Sequence, residues 1–328
     1  MRAINLKEFG GSDNLFVDDV DEPVAGAGQL LIKVHASSVN RPDIVQREGN
    51  YPPPRGDSEI LGLEVAGVVE SVAEGVSRYK KGDRVFALVG GGGYAEYAVA
   101  YEGHTMPVPE NLSFQQAACI CETYITAYLN AIVLAEPAKD DTFLLHGGGG
   151  GVNTAAVQLC NALYPDCTTI VTASTGKIDR VKALGVDHVI DYKTQSFVEE
   201  VNTITNRRGV NVILDHIGAA YLADNMKSLS VGGRLVIIGV MGGVKSELNL
   251  AMMMVKRQKI IGSVLRSRPV DEKADIISNF ERNVLPLFAN ETIAPMISDV
   301  FPLSEAAAAH RAMEQGTHFG KIVLDIQS

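Results

Sequence analysis

The spacing of hydrophobic and polar residues divides the chain into regions of different character. Before about residue 120, valine-rich stretches in which apolar and polar residues partly alternate, such as QLLIKVHASSV (29–39) and GLEVAGVVESV (62–72), are typical of β-strands. Turn-forming residues separate these stretches, as in YPPPRGD (51–57) and KKGDRV (80–85). This pattern predicts a mostly β region at the start of the chain.

A different pattern begins near residue 123, where ETYITAYLNAIVLA (122–135) is typical of a helix. Helical segments then separate six short apolar stretches; after the first, Val152, Ala155, Ala156, Leu159 and Leu163 recur at helical spacing. The six stretches are TFLLHG (142–147), TTIVTA (168–173), DHVIDY (187–192), VNVILDHIG (210–218), GRLVIIGV (233–240) and KIIGSVL (259–265). Strands that alternate with crossover helices predict an α/β fold, with a doubly wound parallel sheet covered on both faces.

The pattern changes again after about residue 264. It predicts a helix at DEKADIISNFERNVLPLF (271–288), an extended segment at APMISDVFPL (294–303), a second helix at SEAAAAHRAMEQG (304–316) and a closing strand at GKIVLDI (320–326). These elements do not continue the strand–helix alternation, so the central region is expected to form a domain of its own.

The chain has 328 residues and a net charge of −10, and no basic run stands out. An acidic protein without a basic patch is not expected to bind nucleic acid. No apolar stretch is long enough to span a bilayer, and the N-terminal MRAINLKEFGGSDN lacks the apolar core of a signal peptide. We therefore expect no membrane association and a cytoplasmic location. The four cysteines show no CxxC pairing and no zinc-finger spacing, which favours free thiols.

Five consecutive glycines lie between the first of the six strands and its helix, in LLHGGGGGVNTAAVQL (144–159). This arrangement binds a dinucleotide pyrophosphate, because backbone N–H groups and the positive end of the helix dipole face the phosphates. Gly147, Gly150 and Gly151 can supply the turn and the close approach. Asn153 stands where a glycine normally packs the helix, and the plain alternative is a tight turn without a ligand. The succession of strand–helix units favours a cofactor site.

The residues after the second of these strands indicate which dinucleotide is bound. An Asp or Glu there binds the ribose 2′-hydroxyl of NAD, but this chain has Ala173, Ser174, Thr175 and Lys177. Hydroxyl groups and an ammonium group suit a 2′-phosphate. The sequence therefore predicts NADPH as the cofactor. In the alternative interpretation, Lys177 is only a solvated charge in the first turn of a helix.

Several motifs along nearly the whole chain resemble one enzyme family. They are NRPDIVQREGNYPPP (40–54), LGLEVAGVV (61–69), GDRVFALVGGGGYAEY (82–97), the glycine run, VNVILDHIG (210–218), VLRSR (264–268) and GKIVL (320–324). The chain resembles the zinc-independent, zeta-crystallin-like quinone oxidoreductase branch of the medium-chain dehydrogenase/reductase superfamily. This resemblance implies a discontinuous, mostly β GroES-like catalytic domain (1–122 and 265–328), a Rossmann NADP(H)-binding domain (123–264), a cofactor in the cleft between them and a homodimer.

The zinc-dependent relatives in that superfamily allow a comparison of metal positions. Their catalytic zinc is held by a cysteine in an early loop and by the histidine of a GHE motif. This chain has SVNRPD (38–43) and GLE (62–64) there, with Leu63 in place of the histidine. The four clustered cysteines of their structural zinc lobe are also missing. Because a metal site needs ligands, we expect no metal.

A quinone accepts hydride without a Lewis acid, because aromatisation and charge delocalisation lower the barrier. The protein then chiefly holds the nicotinamide against the acceptor and excludes water, while hydrogen-bond donors stabilise the acceptor oxygen. The resemblance implies that Asn40 and Tyr51 line this pocket, with Asp43 nearby. Each has a structural alternative: Tyr51 packs in a rigid loop, Asn40 bonds the loop backbone, and Asp43 supports the fold rather than the reaction.

The resemblance also places cofactor contacts along the chain. Thr126 is implied to lie near the nicotinamide and Tyr192 near the adenosine phosphate, whereas His146 is expected to be a hydrogen-bonded structural residue. Doubly wound sheets place ligands at the carboxyl ends of their strands, which independently favours most of these positions. The expected cofactor-binding residues are Thr126, Gly150, Gly151, Val152, Ser174, Thr175, Lys177, Tyr192, Ile217, Gly239, Val240, Met241, Ser263, Val264 and Leu265.

Three functional hypotheses follow. The first is a zinc-free, NADPH-dependent quinone reductase. The second is an NADPH-dependent reductase of alkenal or enone double bonds, which needs an acid to protonate the carbon next to the carbonyl; Tyr51 is the nearby candidate that the sequence offers. The third is a non-catalytic NADPH-binding protein. In the first two cases the partner is a small quinone or a conjugated carbonyl compound.

Overall fold

The computed structural model describes every residue from 1 to 328, and these residues form two compact units. The first unit comprises Met1–Ile125 and Arg266–Ser328, and the second comprises Thr126–Leu265. The boundaries between the units lie after residues 125 and 265, whereas the sequence analysis placed the domain boundaries after residues 122 and 264.

Fifteen β-strands and eleven α-helices make up the two units. The strands are β1 (Arg2–Leu6), β2 (Leu15–Asp19), β3 (Gln29–Val39), β4 (Glu64–Val72), β5 (Arg84–Leu88), β6 (Tyr97–Tyr101), β7 (Thr105–Pro107), β8 (Thr142–His146), β9 (Thr168–Ala173), β10 (His188–Asp191), β11 (Val210–Asp215), β12 (Leu229–Ile237), β13 (Lys259–Gly262), β14 (Ile297–Pro302) and β15 (Lys321–Asp325). The helices are α1 (Arg41–Arg47), α2 (Phe114–Ala117), α3 (Cys121–Ala127), α4 (Gly151–Leu163), α5 (Ile178–Lys182), α6 (Phe197–Ile204), α7 (Ala219–Ser228), α8 (Leu250–Lys256), α9 (Val270–Asn283), α10 (Leu285–Ala289) and α11 (Ala306–Gln315).

The first unit is built on a seven-stranded sheet in the order β14-β15-β3-β4-β5-β7, with β6 also paired to β3. Its pairs are antiparallel except for β14 with β15. Leu30, Ile32 and Val34 alternate along β3 and are fully buried, because every second side chain of a strand faces the same side. Ala309 and Met313 of α11 belong to the same core cluster.

The second unit is a six-stranded parallel sheet in the order β10-β9-β8-β11-β12-β13. Leu144, Ile170, Ile213 and Leu235 are fully buried in it, as expected for a parallel sheet covered on both faces. The strand order changes direction at β8, where β9 lies on one side and β11 on the other. Open α/β sheets bind ligands at such a switch point. These two sheets confirm the predicted fold class.

The structure differs from the predicted elements in two places. The single helix expected over 271–288 is divided into α9 and α10, since Pro286 lies in the first turn of α10 and lacks the N–H that a continuous helix needs. The helix expected over 122–135 becomes α3 followed by a π-helical segment, Tyr128–Val133. No helix combines the length and the apolar character needed to cross a membrane. All four cysteines are free and buried, which confirms the prediction of free thiols.

Candidate functional site

The glycine turn between β8 and α4 has a backbone that requires glycine. Gly147 has φ of +80°, and the N–H groups of Gly147 and Gly148 donate to the carbonyl oxygen of Thr172 at 3.0 and 2.8 Å. At Gly148 a Cβ would overlap the side chain of Val171 on β9. The turn is therefore anchored closely against the neighbouring strand, and side chains larger than hydrogen are excluded there.

The start of α4 presents open hydrogen-bond donors beyond this turn. Gly150 is the N-cap and provides no side-chain cap, and the N–H groups of Gly151, Val152 and Asn153 have no acceptor. These donors, together with the positive end of a 13-residue helix, fit the pyrophosphate of a dinucleotide. Asn153 is buried and its Oδ1 has no hydrogen-bond partner, so this departure from the glycine fingerprint leaves an unsatisfied polar atom in the first turn of α4.

Lys177 lies over the glycine turn. A Cβ at Gly149 would overlap the Lys177 side chain and would lie 3.1 Å from its Nζ. Burial, followed by the charge of Arg180, lowers the pKa of Lys177. The structure thus places Lys177, the cation that the sequence analysis named, next to the glycine turn. Its position in the sequence does not by itself require this contact.

The hydroxyl group of Thr175, which the sequence analysis assigned to the cofactor, binds a carboxylate of the protein instead. Its Oγ1 donates to Asp191 Oδ2 at 2.6 Å, and this bond is the main reason why the pKa of Asp191 is lowered. Asp191 ends β10 and lies beside Ala173 in the parallel register. The sequence interpretation missed this carboxylate because it is on the next strand. The hydroxyl hydrogen of Thr175 is committed to Asp191, so the predicted contacts with a 2′-phosphate depend on Ser174 and Lys177.

Most of the other predicted cofactor residues follow the carboxyl ends of the parallel strands. This shared position brings them to one edge of the sheet, where a dinucleotide would lie. Tyr192 follows β10, Ile217 follows β11, Gly239, Val240 and Met241 follow β12, and Ser263, Val264 and Leu265 follow β13. Thr126 is the exception, since it lies within α3.

His146, the last residue of β8, is fully buried in a hydrogen-bond network. Its Nε2 lies 2.7 Å from Asn225 Oδ1, and its Nδ1 lies 3.1 Å from Thr172 Oγ1. Because Asn225 Oδ1 can only accept, the neutral ring carries its proton on Nε2. Asn225 Nδ2 donates in turn to Asp215 Oδ2 at 3.1 Å. His146 therefore ties together the ends of neighbouring strands, as expected of a structural residue.

His146 is expected to make the second unit sensitive to acid. Burial is the main cause that lowers its pKa from 6.5 to about 4, so below pH 6.5 the unfolded chain binds a proton that the folded chain does not. We expect this residue to remove about 2 kcal/mol of stability between about pH 7 and pH 5, with further loss down to about pH 4. Urea unfolding at several pH values, followed by circular dichroism, measures the effect.

The variant His146→Asn should have a flatter pH dependence of stability than the wild type. His188→Asn, at an exposed position, is the matched control and should keep the wild-type slope. Equal slopes for the wild type and His146→Asn would contradict the assignment.

In the first unit a buried charged cluster surrounds Glu64, the first residue of β4. Its Oε1 accepts hydrogen bonds from Ser38 Oγ at 2.5 Å, Asn40 Nδ2 at 2.9 Å and Lys321 Nζ at 3.0 Å. Its Oε2 accepts from the N–H of Glu122 at 2.9 Å. Lys321 Nζ also donates to Asn40 Oδ1, so the Asn40 amide is held at both ends. The Glu64 and Lys321 side chains are only 1% and 5% exposed.

This cluster does not fit a catalytic zinc ion. Leu63 is 1% exposed and packs in the core. The structure contains no group of three or more His, Cys, Asp or Glu side chains that could hold a metal ion. The Lys321 ammonium group lies beside Glu64 and would repel a second cation there. The residues present thus provide a buried ammonium group where a metal would need ligands.

Asp43 is fully buried, and both of its carboxylate oxygens accept hydrogen bonds. Oδ2 accepts from the N–H of Asn40 at 2.7 Å and from Tyr94 Oη at 3.0 Å, and Oδ1 accepts from the N–H of Gly62 at 3.2 Å. Burial raises the pKa of Asp43 to about 6, although these bonds oppose it. Tyr94 Oη also lies 3.1 Å from Nε2 of His310, a fully buried residue. This geometry favours the structural alternative for Asp43.

Tyr51 presents a phenol without a hydrogen-bond partner, on a partly exposed side chain. The Arg266 guanidinium carbon lies 5.1 Å from the centre of its ring, and Arg266 Nη1 donates to the Tyr51 carbonyl oxygen at 3.3 Å. Burial, followed by the charge of Glu122, raises the pKa of Tyr51 to about 12. The phenol therefore stays protonated at neutral pH and can donate a hydrogen bond.

Glu122 is the residue of this site that the sequence interpretation missed. It lies in the first turn of α3, its N–H donates to Glu64, and its carboxyl group has no hydrogen-bond partner. Burial, followed by the charge of Glu64, raises the pKa of Glu122 to about 8. The only sequence signal was its position four residues before Thr126 in the CETYITAY segment. Glu64 lies 58 residues earlier, so spacing did not connect the two acids.

Comparison with known proteins shows that the chain is an oxidoreductase of a class that uses a nicotinamide dinucleotide, and the fold and the glycine turn fit this class. An alcohol dehydrogenase GroES-like domain matches residues 26–110, and a zinc-binding dehydrogenase family model matches residues 184–324. The quinone oxidoreductases of Rattus norvegicus and Homo sapiens are each 33% identical to this chain over 99% of its length and 97% of theirs. The chain belongs to the medium-chain dehydrogenase/reductase superfamily, in its zeta-crystallin-like quinone oxidoreductase branch.

Solved structures of the same architecture cover almost the whole chain. A quinone oxidoreductase from Pseudomonas syringae is 26% identical, with a TM-score of 0.89, and covers 99% of both chains. The CurK enoyl reductase is also 26% identical, with a TM-score of 0.87, over 99% of this chain and 98% of that one. The human synaptic vesicle membrane protein VAT-1 homolog-like protein is 28% identical, with a TM-score of 0.88, over 100% of this chain and 98% of that one.

Proposed function

We propose that this protein is a zinc-free, NADPH-dependent quinone reductase. The observation that carries the proposal is the phosphate site of the second unit. Three open N–H groups begin α4, Lys177 lies over Gly149, and hydroxyl and ammonium groups rather than a carboxylate follow β9. The quinone oxidoreductases of rat and human support the choice of acceptor.

In this proposal a bound NADPH supplies the hydride, and the residues of the chain orient both reactants. The N–H groups of Gly151 and Val152 bind the pyrophosphate, while Ser174 and Lys177 bind the 2′-phosphate. Tyr51 donates a hydrogen bond to the quinone oxygen as negative charge develops on it. Arg266 fixes the position of Tyr51 through its ring and its carbonyl oxygen.

Steady-state oxidation of NADPH tests the proposal, with 1,2-naphthoquinone as one acceptor and 2-hexenal as another. We expect turnover with the quinone. Tight NADPH binding without turnover on either acceptor would instead support a non-catalytic NADPH-binding protein. A failure to bind any nicotinamide nucleotide in a calorimeter would contradict both.

Tyr51→Phe is expected to lower kcat/KM for the quinone by about tenfold, the effect of losing one hydrogen bond to a charged oxygen. The affinity for NADPH should change by less than about twofold, since the phenol contacts the acceptor and not the dinucleotide phosphates. Tyr97→Phe changes another partly exposed tyrosine of the first unit and should keep wild-type kinetics. Unchanged quinone turnover in Tyr51→Phe would remove this residue from the mechanism.

Reduction of a conjugated carbon–carbon double bond is a second candidate function. The observation that favours it is the unpartnered carboxyl group of Glu122, which adds a second acid to a site where the sequence offered only Tyr51. The similarity to the CurK enoyl reductase supports the same candidate. This reaction and quinone reduction would use the same hydride donor.

We also propose that the protein is a cytoplasmic homodimer. β13 is an edge strand of the parallel sheet, and α8, the helix that precedes it in the chain, has the exposed apolar side chains Leu250, Met254 and Val255. An unpaired strand edge can pair with another chain, and an exposed apolar patch can mark a protein–protein contact. Four unpaired thiols suit a reducing compartment.

A further inference from the structure

We infer that Glu122 is the acid that protonates the α-carbon of a conjugated carbonyl substrate, so that the site reduces activated carbon–carbon double bonds as well as quinones. The inference rests on the proposed function, because the hydride must come from the same NADPH. It assigns to Glu122 a step for which the sequence offered only Tyr51.

The hydrogen bonds of the site leave Glu122 as the one available carboxyl group. Glu64 accepts four hydrogen bonds. Three come from the side chains of Ser38, Asn40 and Lys321, and the fourth comes from the backbone N–H of Glu122. Asp43 accepts three and is fully buried. The Glu122 side chain is partly exposed and its carboxyl oxygens have no partner. Only this acid can meet a substrate without first breaking a hydrogen bond.

The surroundings of Glu122 favour the protonated acid. The titratable and charged groups around it are Glu64, Asp43, Lys321, Arg266, Tyr51 and Cys121. Burial and then the Glu64 charge raise its pKa to about 8, against the opposing charges of Lys321 and Arg266. Glu122 is therefore expected to hold a proton near neutral pH.

The backbone fixes where that proton is held. The N–H of Glu122 donates to Glu64 Oε2 at 2.9 Å, which ties the start of α3 to the start of β4. Glu64 is itself held by Lys321 at 3.0 Å. Glu64 therefore acts on Glu122 twice, since it accepts the hydrogen bond that positions the backbone, and its charge adds to burial in raising the pKa of the neighbouring carboxyl group.

The proposed step balances as follows. A bound NADPH would supply hydride to the β-carbon, and the electron pair of the double bond would move toward the carbonyl oxygen. The O–H bond of Glu122 then breaks and a C–H bond forms at the α-carbon, after which the carboxylate regains a proton from water. The net reaction consumes NADPH and one proton. Reduction of a quinone instead places its protons on oxygen, which exchanges protons with water without a positioned acid.

Tyr51 is poorly suited to this carbon protonation. Its pKa is about 12, whereas that of Glu122 is about 8. General acids work best when their pKa lies near the working pH, so the carboxylic acid is the more effective donor. Tyr51 and Glu122 therefore have separate roles: the phenol binds the carbonyl oxygen, and the carboxylic acid delivers the proton to carbon.

The test compares Glu122→Gln with the conservative Glu122→Asp and with Glu110→Gln, which changes an exposed glutamate of the same unit. Glu122→Gln should lose about 100-fold in kcat with 2-hexenal while staying within about threefold of the wild type with 1,2-naphthoquinone. Glu122→Asp should recover part of the loss, and Glu110→Gln should match the wild type with both acceptors. Equal activity of Glu122→Gln and the wild type on 2-hexenal would overturn the inference, as would equal losses on both acceptors.

A second readout needs neither cofactor nor substrate. The infrared band of a protonated carboxylic acid, taken as the difference between wild type and Glu122→Gln, should be present at neutral pH and disappear with a midpoint near pH 8. A carboxylate already ionised at pH 6 would overturn the inference. A wild type that reduces the quinone but not 2-hexenal also overturns it and leaves the proposed function intact. A wild type that reduces neither acceptor contradicts both.

Discussion

Replacing Lys177 by alanine is expected to weaken NADPH binding by about 10- to 100-fold and NADH binding by less than about threefold. The ammonium group of Lys177 lies over Gly149, beside the glycine turn. A charge-assisted hydrogen bond to a phosphate contributes about 1.5–3 kcal/mol, and NADH lacks the 2′-phosphate that would receive it. Isothermal titration calorimetry with both nucleotides measures the two changes directly.

The matched control for this experiment is Lys182→Ala, which removes an exposed lysine at the end of α5. It should leave both affinities unchanged. If Lys177→Ala weakens NADPH and NADH equally, the lysine binds the pyrophosphate that both share and does not select between them. If neither affinity changes, Lys177 is a solvated charge, and the choice of NADPH loses its main support.

Replacing Lys321 by methionine is expected to destabilise the first unit by about 3–5 kcal/mol. The side chains of Lys321 and Glu64 are 5% and 1% exposed, so methionine would leave a buried carboxylate without its cation. The chain has no tryptophan, and circular dichroism is therefore the suitable probe for urea unfolding. The double variant Glu64→Gln/Lys321→Met removes both charges and should be more stable than Lys321→Met alone.

An exposed ion pair serves as the control for the loss of stability expected in Lys321→Met. Lys139 and Asp166 lie 3.0 Å apart, but their side chains are 85% and 55% exposed. Lys139→Met should change the stability by less than about 1 kcal/mol, as is usual for surface pairs. A similarly small loss in Lys321→Met would mean that water reaches Glu64 in solution, and would also weaken the inferred influence of Glu64 on Glu122.

The strand, glycine turn and helix from β8 to α4 were largely predictable from the sequence because these parts are local. A short apolar strand, a glycine turn and a helix follow one another within LLHGGGGGVNTAAVQL, and parallel strands bring their carboxyl ends to one edge. The sequence also predicted that glycine is needed in this turn. Gly147 has a positive φ, and there is no room for a Cβ at Gly148. Asp191 was missed because its contact with Thr175 depends on the pairing of β9 with β10.

The buried cluster around Glu64 was much less predictable. Asn40, Asp43 and Tyr51 were named by resemblance, but the structure engages Asn40 and Asp43 in networks that hold the loop before α1. Glu122, Arg266 and Lys321 come from distant parts of the chain. Their surroundings depend on burial and on neighbouring charges in the folded protein, and no short sequence motif predicts these.

The sequence by itself determined the two kinds of fold and the position of the glycine turn, because hydrophobic periodicity and backbone freedom are properties of neighbouring residues. Only the tertiary structure decided which acids are buried and which charges lie beside them. Lys321 meets Glu64 across 257 residues, and Glu64 in turn binds the backbone of Glu122. The energy of a buried charge depends on its distance to other charges in space, and folding alone sets that distance.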